Sequence, residues 1–139
     1  MGTRSLTVLK DKDEEVCVMY RQFDGYPEGH GMELANFLGE FTITNGMRSG
    51  EVKQTANGPD CLFAQIIAHF KDGPGSIYLQ KAGTRGVWEE FIYTVTVTEA
   101  GEPIMLKVET AGWEDIPTTT IWEGDVVDFA ADLCERGEV

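Results

Sequence analysis

The stretch "FIYTVTVT", Phe91–Thr98, constrains the fold most. Phe91, Tyr93, Val95 and Val97 occupy every second position, and Ile92, Thr94, Thr96 and Thr98 lie between them. A period of two in β-branched and aromatic residues is the pattern of a strand, and its apolar face has to be covered by other parts of the chain. Arg4–Lys10 alternates too, with Leu6 and Val8 on one side, and Val16–Gln22 places Val16, Val18 and Tyr20 on one side. The charged "DKDEE" between these two predicts an antiparallel hairpin. Ser76–Gln80, Val87–Thr98 and Ile104–Thr110 read as three more strands, the last two joined through "EAGEP" as a second hairpin.

Helical spacing punctuates the strands. Leu34, Phe37, Leu38 and Phe41 recur at helical intervals from Gly31 onward. Pro59 suits the first turn of a helix with Leu62, Phe63, Ile66, Ile67 and Phe70 on its apolar stripe, stopped by "KDGPG". Asp125–Leu133 carries Val126, Phe129, Ala130 and Leu133 on one side, with Asp125 as its N-cap. The polar run "TITNGMRSGEVKQTANG" has no periodicity. The order predicts a single α+β domain over residues 1–139, with a mainly antiparallel sheet of about five strands and two to three helices on one face. The order of strands within the sheet stays open.

Charge narrows the function. With 24 acidic against 11 basic residues the net charge is −13, which argues against direct nucleic-acid binding, since neutralising a phosphate backbone needs clustered Lys and Arg. No apolar run approaches the ~20 residues that cross a bilayer, and "MGTRSLTVLK" has no signal-peptide core and misses the myristoylation pattern at Leu6. Cys17, Cys61 and Cys134 are odd in number and far apart, so they read as reduced core thiols. Together these predict a cytoplasmic protein that does not engage membranes.

The densest chemistry lies in "YRQFDGYPEGHG", Tyr20–Gly31. Gly25, Gly29 and Gly31 let the backbone turn and approach a partner closely, and the helix that follows points unpaired N–H groups back at the loop. Arg21, and Arg4 from the neighbouring strand, add guanidinium forks for an anion, while Tyr20, Phe23 or Tyr26 can stack on a base. The candidate ligand-binding set is Arg4, Tyr20, Arg21, Phe23, Asp24, Tyr26, Gly29, His30 and Gly31. The structural alternative is that Asp24 caps the turn or pairs with Arg21, the glycines and Pro27 shape the turn, and the aromatics close the core.

Catalysis is the lesser reading. The chain has only His30 and His69, and neither a metal-site spacing nor a nucleophile motif; no cofactor is expected. His30 with Asp24 or Glu28 can form an acid/base pair in principle. His69 reads as a structural histidine at the edge of a helical stripe. The carboxylates of "WEEF", read as strand, face opposite ways. "AGTRG", Ala82–Gly86, reads as a hairpin tip that enlarges a basic spot if Arg85 folds toward the first loop. Trp113 and Trp122 read as core edges, although an exposed tryptophan is a partner anchor.

"MGTRSLT" followed by "YRQFDGYPEGHG", then "CLFAQIIAHF" and "EEFIYTVTV", resembles a family of small uncharacterised proteins of phage and bacterial genomes. The resemblance spans most of the chain, and its specific parts are Gly2–Thr7 and Tyr20–Gly31. It implies a phage or mobile-element setting, where small acidic proteins often antagonise host defence, and no particular activity. The sequence therefore predicts a non-enzymatic binding protein that sequesters a small anionic, nucleotide-like ligand at Tyr20–Gly31. The alternatives are an acidic, nucleic-acid-mimicking inhibitor of a host protein and a hydrolase using His30.

Overall fold

A computed structural model describes residues 2–46 and 54–135. Strand β1 (Ser5–Asp11) turns back into β2 (Glu14–Arg21), as the alternation requires, and the chain continues through a π-helical turn (Pro27–Gly31) into α1 (Met32–Leu38). Next come β3 (Thr42–Thr44), β4 (Thr55–Asn57), α2 (Gly58–Phe70), β5 (Ile77–Lys81), β6 (Phe91–Val97), β7 (Met105–Thr110), β8 (Thr119–Asp125) and α3 (Val126–Glu135). The class is α+β, as expected. The main sheet has six strands rather than about five, in the order β5-β2-β1-β6-β7-β8, and β3 and β4 form a separate parallel pair. All main-sheet neighbours are antiparallel except β1 and β6, which run parallel in the middle.

Three differences from the sequence expectation bear on function. Strand β6 begins at Phe91, not Val87, so Val87–Glu90 belongs to the preceding loop. Strands β5 and β6 are not neighbours, so "AGTRG" is no hairpin tip; it lies on the connection that passes from the β5 edge to the sheet centre. The polar run after α1 contributes β3 and β4, while residues 47–53 lie outside the described residues.

The two faces of the sheet are unequal. Leu9, Met19, Tyr93, Val95, Leu106 and Val108 join Leu34, Leu38, Leu62, Ile66, Phe129 and Leu133 from the three helices in one large core. Each fully buried aliphatic side chain there contributes about 1.5–3 kcal/mol. Asp125 caps α3 as expected, its carboxylate accepting the Val127 N–H at 3.1 Å. The opposite face has a smaller cluster of Leu6, Val8, Val18 and Ile92, with Val87 packed against it. The connection carrying Val87 is tied down by Arg85, whose guanidinium meets Glu15 of β2 at 3.0 Å. The "basic spot" role for Arg85 is thus replaced by an ion pair away from Tyr20–Gly31. The cysteines are free; Cys17 and Cys61 are half-buried, whereas Cys134 is exposed rather than in the core.

Candidate functional sites

The Tyr20–Gly31 segment folds inward on the first strand. Antiparallel pairing sets Arg21 opposite Ser5 on the helix side of the sheet. Beyond Arg21 the chain turns at Asp24, in a left-handed conformation (φ 58°), and Gly25 N–H donates to the Thr3 carbonyl at 2.9 Å. A Cβ at Gly25 would lie 2.7 Å from Ser5 Cβ, so only glycine permits this approach. The π-helical turn then delivers His30 fully buried into the sheet, edge-on to Tyr93 at 4.9 Å and tilted against Phe70 at 5.0 Å.

His30 sits in a closed polar chain. Arg21 Nη1 donates to His30 Nδ1 at 2.9 Å. Because a guanidinium can only donate, the imidazole carries its hydrogen on Nε2 and donates it to Thr7 Oγ1 at 2.7 Å. Arg21 also donates from Nε to the Phe23 carbonyl at 2.6 Å and from Nη2 to Glu33 at 2.9 Å. Burial, and then the Arg21 charge, lower the His30 pKa to about 3, so the ring is neutral at physiological pH. Tyr93 donates its hydroxyl to the Gly25 carbonyl at 2.7 Å, and burial pushes its pKa far up. Gly2–Thr7 and Tyr20–Gly31, the two specific motifs of the sequence, therefore form one packed unit.

The remaining candidates spread around this unit. Tyr20 lies on the other face of the sheet, against Tyr78 at 5.9 Å. Arg4 precedes β1 and Arg21 is paired with Ser5, so alternation does not bring the two arginines to one side. Phe23, Asp24 and Tyr26 are exposed, Gly29 is half-buried and Gly31 is buried. Arg21 does pair with a carboxylate, but with Glu33 rather than Asp24. Both imidazole nitrogens of His30 are occupied within the protein, which leaves no free acid/base edge. His69 is exposed and stacks on Phe37 at 4.0 Å, beside a cleft of about 590 Å³ between α1 and α2.

A second region was only half seen in the sequence, which named Trp113 but not Trp88, and the reading of Trp113 as a core edge is overturned by its exposure. Trp88 and Trp113 are 67% and 57% exposed, yet their ring centroids lie 5.6 Å apart with planes inclined by 48°. They bound a notch of about 310 Å³ with Gly86, Glu89, Gly112 and Glu114. Trp88 is held in a left-handed conformation at φ 70°, a strained state for a bulky side chain. The Glu89 carboxylate braces that turn by accepting the Gly86 and Val87 N–H groups at 3.1 and 2.8 Å. Reciprocal backbone bonds between Trp113 and Ile116, at 2.9 and 2.8 Å, fix the other side. Trp122, by contrast, is a core residue whose indole N–H donates to Asp132 at 2.9 Å. The usable signal was that "RGVWEEF" breaks the strand pattern at Gly86 and leaves its tryptophan without a place on the apolar face.

Compared with known proteins, the chain matches no family model, no curated protein sequence and no solved structure. Among the described residues no group of three or more His, Cys, Asp or Glu side chains is arranged to hold a metal ion, and no helix is long and apolar enough to cross a membrane.

Proposed function

We propose that this chain is a non-catalytic binding protein directed at a positively charged protein partner. The observation that carries the reading is the exposed Trp88–Trp113 pair, set beside Glu89 and Glu114 in the wall of one notch. Exposed tryptophans with acidic neighbours have the makeup of an interface anchor, since a few large aromatics supply most of the energy of protein contacts. The net charge of −13 attracts a basic partner at long range and speeds encounter. In the phage or mobile-element setting that the sequence resemblance implies, the partner is a basic host protein of a defence system.

Sequestering a small anion at Tyr20–Gly31 has less support. Such a ligand has to displace Glu33 and compete with His30 and the Phe23 carbonyl for Arg21, whose side chain is 12% exposed. Hydrolysis at His30 has less again, because its ring is fully buried and neutral. The test is calorimetric titration with octalysine at low and physiological salt. We expect binding that weakens with salt and falls further when Trp88 and Trp113 are both changed to Ala. Binding unaffected by that double substitution would reduce the interaction to bulk charge and sink the proposal.

A further inference from the structure

We infer that the Trp88–Trp113 notch receives an arginine side chain of the partner, in preference to lysine. The inference rests on the protein-directed reading and adds the residue that is read. Three properties of the notch point to it: indole faces, an unspent carboxylate, and the lack of any cation in its own wall.

The indoles are inclined at 48° with centroids 5.6 Å apart, so they pack against each other and leave the rest of their ring surface to solvent. A cation over an indole face is attracted by the ring quadrupole, and a guanidinium gains further by stacking its flat, weakly hydrated surface on the ring. A lysine ammonium is a compact, strongly hydrated charge and loses more on giving up water against an indole face. The pair consists of two side chains that the fold leaves in solvent at the expense of backbone strain at Trp88, so it is not explained by core packing.

The carboxylates divide the remaining work. Glu89 already accepts two backbone N–H groups and supplies mainly charge. Glu114 is exposed and stands in a left-handed conformation at φ 49°, and its carboxylate makes no hydrogen bond or ion pair among the described residues. It is the group able to meet a guanidinium with two parallel N–H···O bonds, a geometry that lysine cannot offer. The wall itself contains Gly86, Trp88, Glu89, Gly112, Trp113 and Glu114. Arg85, adjacent in sequence, is turned away to Glu15 and does not fill the notch.

Octaarginine and octalysine carry equal charge and separate the two claims. Titrated into the intact protein at physiological salt, octaarginine is expected to bind several-fold more tightly, because lysine makes a weaker version of the same cation–π contact and lacks the stacking. It should also perturb tryptophan emission more at equal occupancy. Trp113→Ala should abolish the preference, lowering octaarginine affinity several-fold more than octalysine affinity, which also falls. Glu114→Gln should lower octaarginine affinity several-fold and octalysine affinity less. Since these side chains are exposed, thermal unfolding of the variants should stay close to wild type, which rules out misfolding as the cause. Equal affinity for the two peptides, with both still dependent on the tryptophans, would overturn the arginine inference and leave the basic-partner reading intact. A preference for octaarginine that survives Trp88→Ala and Trp113→Ala would place it elsewhere and overturn the assignment to this notch. Binding of neither peptide would sink both.

Discussion

Tyr20–Gly31 and the loops around Trp88 and Trp113 are both rich in glycine, aromatics and charge, but they use them in opposite directions. In the first, Arg21, His30 and Thr7 satisfy one another beneath a turn, and Tyr93 closes it through the Gly25 carbonyl. In the second, two indoles and the Glu114 carboxylate face solvent, while the Glu89 carboxylate braces one side and backbone bonds the other. A concentration of chemically able residues therefore marks either a lock or an open, unspent surface. What distinguishes them is whether the polar atoms already have partners inside the chain.

The largest effect should come from breaking the lock. His30→Ala removes a fully buried ring and strands both Thr7 and Arg21; a loss of about 3–5 kcal/mol is expected from cavity formation and unpaired polar groups. Urea unfolding measures it, and a loss under about 1 kcal/mol would show that the network contributes little to stability.

Acid should loosen the same lock through its protonation. The folded-state pKa of His30 is lowered to about 3 from an ordinary value of 6.5, so below pH 6.5 the unfolded chain binds the proton more strongly. This contribution to stability is fully present above pH 6.5 and is lost as the pH falls toward 3. Between pH 6.5 and 4.5 it amounts to roughly 2 kcal/mol. Relative to His30→Gln, which does not titrate, the wild type should lose that much more over this interval in parallel urea titrations.

Arg21→Ala tests the direction in which that guanidinium works. About 1.5–3 kcal/mol of stability should be lost with its charged hydrogen bonds, while affinity for octalysine and octaarginine should remain within about 2-fold of wild type, as expected for a group outside the notch. Specific nucleotide binding that disappears in this variant, with stability retained, would restore the sequestration reading and reverse the comparison.

The smallest effect on stability is expected on the exposed side. Trp88→Gly relieves a left-handed conformation that costs about 1–2 kcal/mol, offset by lost stacking of about 0.5–1.5 kcal/mol. Net stability should change by under about 1 kcal/mol. Octaarginine binding should nevertheless weaken several-fold. Denaturation and calorimetry on the same preparation sharpen the contrast with His30→Ala.

The sequence made local elements legible because their causes are local. The β1–β2 and β6–β7 hairpins followed from alternation bounded by turns, and α2 and α3 from apolar stripes with Pro59 and Asp125 at their starts. Strand β8 was hidden because only Trp122 among its seven residues is buried, so no period of two appears. The parallel pairing of β1 with β6 joins segments separated by most of the chain and leaves no short-range mark. The candidate residues were chosen by chemical type, which is legible. The partners of Arg21 were not, because Glu33 and His30 reach it only once the π-helical turn has formed. Trp88 escaped notice because Val87–Glu90 looked like the continuation of a strand.

The central parallel pair also sets a schedule for synthesis. Strands β5, β2 and β1 can align once residue 81 has left the ribosome, but β1 then presents a bare row of amide and carbonyl groups until β6 has emerged and docked. Pauses in translation between those points should prolong the life of a sticky intermediate, because an uncovered strand recruits other chains. Poor yields on rapid overexpression would then reflect the timing of emergence rather than a weak final structure. Slower synthesis of the whole message would not help; faster passage through the downstream codons that are read while residues 82–97 leave the exit tunnel, which shortens the interval before β6 is available, would.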